Sequence, residues 1–81
     1  MIKILFFASY REKLGVDSLE LPEVPANLSA LRAMLCEKGA DWQEVVTDSR
    51  TLVALNQSMT RKDFDIKEGD EIAFFPPVTG G

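Results

Sequence analysis

Histidine is absent from this 81-residue chain, and cysteine occurs once, at position 36. The first absence removes the commonest general base and the commonest metal ligand together. The second excludes an internal disulfide and a cysteine-rich metal site. Long hydrophobic runs are missing too, since no stretch approaches the ~20 apolar residues of a membrane span. The opening Met1-Ile2-Lys3-Ile4-Leu5-Phe6-Phe7 is too short and too strand-like for a signal peptide, and no small-residue cleavage site follows it. A cytoplasmic location is therefore expected, where a lone thiol stays reduced. Basic residues are the minority: nine Lys and Arg face thirteen Asp and Glu, for a net charge of −4. Nucleic acid is thus not the expected partner, because phosphate binding needs a basic face. A basic partner surface suits this chain better. Glycines 15, 39 and 69 stand alone at turns, so there is no glycine-rich phosphate loop.

What is present fits one small domain over residues 1–81. The hydrophobic share of 46% is that of a globular chain. Ile2 to Ala8 is nearly all apolar and reads as a central strand covered on both faces. Alternation puts Ile2, Ile4 and Phe6 on one face and Lys3, Leu5 and Phe7 on the other. Ser9 to Gly15 allows one helical turn, with Tyr10 and Leu14 four apart and the glycine as its stop. Asp17 to Leu21 alternates as a returning strand. Asn27 is a good N-cap for a helix from Leu28 to about Lys38, closed by Gly39. Leu28, Leu31 and Leu35 form its core stripe, and Cys36 lies at the margin as a small, half-buried residue. Asp41 to Val46 suggests a short second helix. Thr51 to Leu55 reads as a third strand ended by Asn56-Gln57-Ser58, and Lys62 to Ile66 as a short edge strand. Lys67-Glu68-Gly69-Asp70 is a turn signal, and Glu71 to Phe75 is the last strand.

One helix cannot cover both faces of such a mixed sheet. It is expected on the Ile4/Phe6/Phe74 face, which leaves Leu5, Phe7 and Phe75, with Met59, on an open apolar face suited to a partner. The carboxylate pairs Asp63/Asp65 and Asp70/Glu71 fall in turns and edges and read as solvated surface. No nucleophilic triad, metal cluster or other self-contained active site emerges.

The end of the chain is the unusual part. Phe74-Phe75 meets Pro76-Pro77, which lack backbone N–H groups and halt any sheet ladder. Val78-Thr79-Gly80-Gly81 follows. Prolines favour an extended path, so residues 76–81 could reach roughly 15–20 Å from the domain. Glycines lack a Cβ and can enter a narrow channel, carrying the α-carboxylate with them. A carboxylate is a poor electrophile until a partner converts it to an acyl-adenylate with ATP. A sulfur donor could then displace AMP and leave a thiocarboxylate, making the chain a carrier whose catalytic sites belong to others.

Over its whole length the chain resembles the small, sulfur-carrying subunits of molybdopterin synthase, which have the ubiquitin-like β-grasp fold. The segment Gly69-Asp70-Glu71-Ile72-Ala73-Phe74-Phe75-Pro76-Pro77-Val78-Thr79-Gly80-Gly81 carries the likeness most specifically. Ile2-Lys3-Ile4-Leu5-Phe6-Phe7-Ala8, Arg11-Glu12 with Gly15, and Asn56-Gln57 add to it. The resemblance implies an α+β domain with a mixed sheet on one main helix and a flexible Gly-Gly tail. It implies that Gly81, preceded by Gly80, is adenylated by an adenylyltransferase similar to ubiquitin-activating enzymes, with ATP consumed there and no cofactor bound here. Sulfur from a donor acting through that complex would then form a thiocarboxylate. The tail would enter the large synthase subunit, in an assembly of two small and two large subunits, and pass sulfur to cyclic pyranopterin monophosphate to build the dithiolene of molybdopterin. Phe7, Met59 and Phe75 fall where the family presents apolar contacts, with Pro76, Pro77, Val78 and Thr79 as the inserted segment. A sulfur carrier for thiamin synthesis and a ubiquitin-like protein modifier are the alternatives of the same shape.

Overall fold

A computed structural model describes residues 1–77. Val78 to Gly81 lie outside the described residues. The elements are β1 (Ile2–Phe6), α1 (Ser9–Leu14), β2 (Ser18–Leu21), α2 (Leu28–Cys36), α3 (Ala40–Thr47), β3 (Leu52–Leu55), β4 (Ser58–Thr60) and β5 (Glu71–Phe75). The five strands form one mixed sheet in the order β2-β1-β5-β3-β4. β1 and β5 run parallel at its centre, and the other neighbours are antiparallel. With α2 lying across one face, this is the ubiquitin-like β-grasp architecture. None of the described helices is long and apolar enough to cross a membrane.

Register explains which residues enter the core. Ile4 pairs with Leu19 and Ile72, and Phe6 with Phe74, so these side chains share one face. Ile4, Ile72 and Phe74 are fully buried there with Leu31 and Leu35 of α2 and Val46 of α3. Phe6 stacks on Phe74 at 5.7 Å and meets the edge of Trp42 at 5.4 Å. Leu28, Leu31 and Leu35 are the buried stripe anticipated from their spacing. The Asn27 side chain caps α2 by accepting from the Ala30 N–H at 2.8 Å. Its oxygen thereby satisfies one of the N–H groups that a helix start leaves unpaired.

All three helices contribute to this one core, which leaves the other sheet face without a helical cover. Tyr10 of α1 joins the core, and its hydroxyl lies 2.6 Å from Thr51 Oγ1. Thr51 donates in turn to the Val45 carbonyl at 2.7 Å, so the Tyr10 hydroxyl is the donor to Thr51. This short buried chain ties α1 and α3 to the start of β3. Cys36 is half-buried against the core, at the margin where its spacing put it.

Three expectations are corrected. Lys62 to Ile66 is not the edge strand; Ser58–Thr60 is. Asn56 and Gln57 take φ of 50° and 72°, the pair of positive values that closes a two-residue hairpin. The chain therefore returns at once beside β3, with Met59 opposite Ala54. Lys62 to Ile66 instead crosses to the start of α2. There the Leu28 N–H donates to Phe64 O, the Ile66 N–H donates to Ala26 O, and Ile66 is buried. The expected strand to Ala8 is also shorter, ending at Phe6. α2 likewise ends at Cys36, before the expected Lys38.

Ala8 causes the first shortening. It sits at φ 54°, ψ −129°, a region that side chains with a Cβ rarely occupy. This turn swings the chain out of the sheet and into α1. Replacing Ala8 with glycine removes the Cβ clash at some cost in unfolded-state entropy. Ala8→Gly is expected to raise stability by about 1 kcal/mol, read as a higher urea midpoint at unchanged m-value.

Candidate partner-binding face and tail root

The open face of the sheet is built by the same register that makes the core. Leu5 lies opposite Ala73, Ala73 opposite Ala54, and Ala54 opposite Met59. One row thus runs across four strands. Next to it, Phe75 lies opposite Leu52, and Phe7 continues beyond β1 beside Phe75. The alanines form a low floor, buried to 4–6% exposure by their larger neighbours. The residues around them stand proud: Phe7 is 38% exposed and Met59 57%, while Phe75 is half-buried. The Phe7 and Phe75 rings stack 4.6 Å apart and 6° from parallel. This pair is a rigid apolar ridge that loses little side-chain freedom on binding.

Beside the ridge is a groove of about 540 Å³ lined by Phe7, Ala8, Leu52, Met59, Phe75, Pro76 and Pro77. The fold brings together the expected contacts Phe7, Met59 and Phe75 and the root of the tail at Pro76 and Pro77. The remaining predicted site residues, Val78, Thr79, Gly80 and Gly81, lie outside the described residues. Leu52 and Ala8 were not anticipated here. Leu52 could have been found by assuming antiparallel pairing of the third and last strands. The apolar residues on both sides of Thr51 to Leu55 gave no preference for one face.

None of the groove-lining side chains titrates, so the groove offers an apolar contact and no general acid, base or nucleophile. Among the described residues there is no group of three or more His, Cys, Asp or Glu side chains placed to hold a metal ion. Cys36 belongs to α2, on the helix-covered side of the sheet, away from the groove.

The start of β5 is held by Asn56. Its Oδ1 accepts from the Glu71 N–H at 2.9 Å, its Nδ2 donates to Asp70 Oδ1 at 3.0 Å, and its own N–H donates to Glu71 O at 2.8 Å. The Asn56 side chain, followed by the Lys67 N–H, holds the Asp70 carboxyl below the ordinary aspartate range. The lowered value means that this contribution to stability is complete above the unfolded-state pKa and is lost as pH falls through the folded one. Asn56→Ala is expected to cost about 1 kcal/mol at neutral pH. Its deficit against the parent chain should shrink as pH falls below the ordinary aspartate range and on through the lowered Asp70 value, where the carboxyl becomes protonated in the folded parent as well. Urea melts of the two proteins from pH 7 to pH 3 check this; a constant deficit would assign Asn56 only a turn-forming role.

The profile of the ThiS family matches residues 4–81. The chain belongs to the ThiS family. The chain is 46% identical over 81 residues to the molybdopterin synthase sulfur carrier subunit of Haemophilus influenzae, covering all of both chains. It is 42% identical over 81 residues to the subunit of the same name from Escherichia coli, again covering all of both. Among solved structures, it resembles a chain in the protein–protein complex of subunits 1 and 2 of molybdopterin-converting factor from Helicobacter pylori. That match has a TM-score of 0.72 at 26% identity and covers 99% of this chain and 97% of the other.

Proposed function

We propose that this family member is the sulfur-carrier subunit of a molybdopterin synthase. The observation that carries the reading is the coincidence of two features on one edge: Pro76 and Pro77, which begin the tail, also wall the apolar groove. A protein that docks on the Phe7/Phe75 ridge therefore receives the tail at the same place. The relatives of matching length bear that function in their names, which favours it over the thiamin-type carrier and the protein modifier.

In this reading the Gly81 carboxylate attacks the α-phosphate of ATP in an adenylyltransferase similar to ubiquitin-activating enzymes. Pyrophosphate leaves and a glycyl-adenylate forms. A sulfur donor acting through that complex displaces AMP. Sulfide-level sulfur gives the thiocarboxylate directly, whereas a persulfide first forms an acyl disulfide with the terminus, which a thiol reductant then cleaves to release the thiocarboxylate. The carrier then docks on the large subunit, and the thiocarboxylate sulfur adds to cyclic pyranopterin monophosphate. Hydrolysis of the acyl–sulfur bond returns the Gly81 carboxylate. A dithiolene takes two sulfurs, so two charged carriers serve each product. Two small and two large subunits make up the assembly. The groove and tail supply docking and reach, while the pterin-binding groups belong to the large subunit. No cofactor is resident in the chain, ATP is consumed by the activating enzyme, and the cycle runs in the cytoplasm.

Intact mass spectrometry tests this reading. Incubation with ATP, the activating enzyme and a sulfur donor should add the mass difference between one sulfur and one oxygen. Adding the large subunit and the pterin precursor should reverse the gain as molybdopterin appears. A competent activating enzyme that leaves the mass unchanged would falsify the carrier function.

A further inference from the structure

A second cavity, of about 550 Å³, opens between the start of α2, the loop before β3 and the end of β4. Four of the chain's nine Lys and Arg residues line it, Arg32, Arg50, Arg61 and Lys62, against two carboxylates, Asp48 and Asp63. In a chain of net charge −4 this is a local reversal of sign. Both carboxylates are already engaged. Asp48 is paired with Arg50 at 3.0 Å, and Asp63 accepts from Ser29 Oγ at 2.6 Å and from the Ser29 N–H at 3.2 Å. Arg32, Arg61 and Lys62 form no ion pair among the described residues. The Nε of Arg32 is buried without a hydrogen-bond acceptor there. An N–H withdrawn from water and left unpaired is a cost that a shift of the Arg32 side chain toward a bound acceptor would relieve.

We propose that this cavity receives an acidic segment of the protein that docks on the apolar groove. Two observations select that occupant. Leu52 lines both the cavity and the groove, so one partner surface can reach both. Several backbone N–H groups on the rim are already committed: Ser29 to Asp63, Arg50 to Asp48 and Lys62 to Thr60 Oγ1. A phosphate cradle uses converging backbone N–H groups. What remains here are flexible cationic side chains from α2 and from the segment after β4, which suit carboxylates spaced along a peptide. The groove supplies the apolar anchor, and the cavity sets orientation and speeds encounter.

This inference rests on the carrier reading, and calorimetric titrations can separate the two. The probes are the large synthase subunit and the activating adenylyltransferase, each titrated with the full chain at low and at high salt. Arg32→Gln, Arg61→Gln and Lys62→Gln together should weaken binding to at least one of them by about tenfold at low salt and flatten its salt dependence. A control with Lys13→Gln, Lys38→Gln and Lys67→Gln has the same net charge and should stay within about twofold of the parent. The Arg32 Nε–H resonance should shift on adding that partner. If the cavity variant binds both proteins as the control does, the inference is overturned. It is also overturned if inorganic phosphate moves the Arg32 signal while neither partner does, since the cavity is then a small-anion site. Loss of binding in Phe75→Ala with none in the cavity variant leaves the carrier reading standing and removes this one. A parent chain that binds neither protein removes both.

Discussion

Deleting Gly81 is expected to abolish sulfur transfer outright while leaving the domain folded. Among the described residues the last strand ends at Phe75 and the core is closed by Phe74, so the core they form is complete without the final residue. The new terminus, the Gly80 carboxylate, is chemically the same group but falls short by one residue, about 3.3 Å. Transfer between a fixed donor and a fixed acceptor is intolerant of that error, since a displacement of about 1 Å can cost on the order of 100-fold. Gly80→Val tests the channel separately from the reach. It keeps the length but adds a branched side chain where a narrow passage requires none, and should slow adenylation and transfer by at least about 100-fold. Both variants should melt within about 1 °C of the parent, because the core of the described residues is complete by Phe74. Single-turnover assays with mass detection give the rates, and calorimetry gives the melting points. Normal transfer by the deletion would mean that the reacting group lies elsewhere.

The adjacent phenylalanines of β5 should fail in opposite ways. Phe74 is fully buried between Phe6 and the helices, and Phe74→Ala empties the centre of the core. Its cost is about 3–5 kcal/mol. For 81 residues the total stability is on the order of 4–12 kcal/mol, so this one change removes a large share of it. A fall in melting temperature of more than about 15 °C is expected. Phe75 projects to the opposite face, where it stacks on Phe7 at the groove. Phe75→Ala should cost only about 1 kcal/mol in stability, the scale of one exposed aromatic pair. Its loss should appear in binding, with affinity for the large subunit falling at least about 30-fold, as for a central aromatic anchor. Equal effects of the two substitutions on stability would place both rings in the core.

The difference between these two residues shows what was legible in the sequence. Alternation along Glu71 to Phe75 already put Phe74 and Phe75 on opposite faces, because successive side chains of a strand point to opposite sides. Which face the helices cover followed from counting apolar stripes against helices. The α2 cap at Asn27, the stop at Gly15 and the proline brake after Phe75 were equally readable, each being a local constraint of one or two residues on φ or on a hydrogen bond. The chemistry proposed for the tail rests on residue type and chain order alone.

Other features needed the fold. The edge strand was misplaced because a tight turn at Asn56-Gln57 lacks the glycine that usually announces positive φ. The side-chain clamp from Asn56 to Asp70 and Glu71 spans about 15 positions and joins two turns with no common pattern. Leu52 entered the groove only through its pairing with Phe75. The basic cavity collects residues from positions 32, 50, 61 and 62, which no window along the chain would group. Local chemistry and strand alternation are written in consecutive residues, so the sequence by itself determined the core face and the cap of α2, and the proposal for the terminus rests on it. Register and the meeting of distant segments depend on which strands pair, so the groove, the clamp and the cationic cavity were decided only by the tertiary structure.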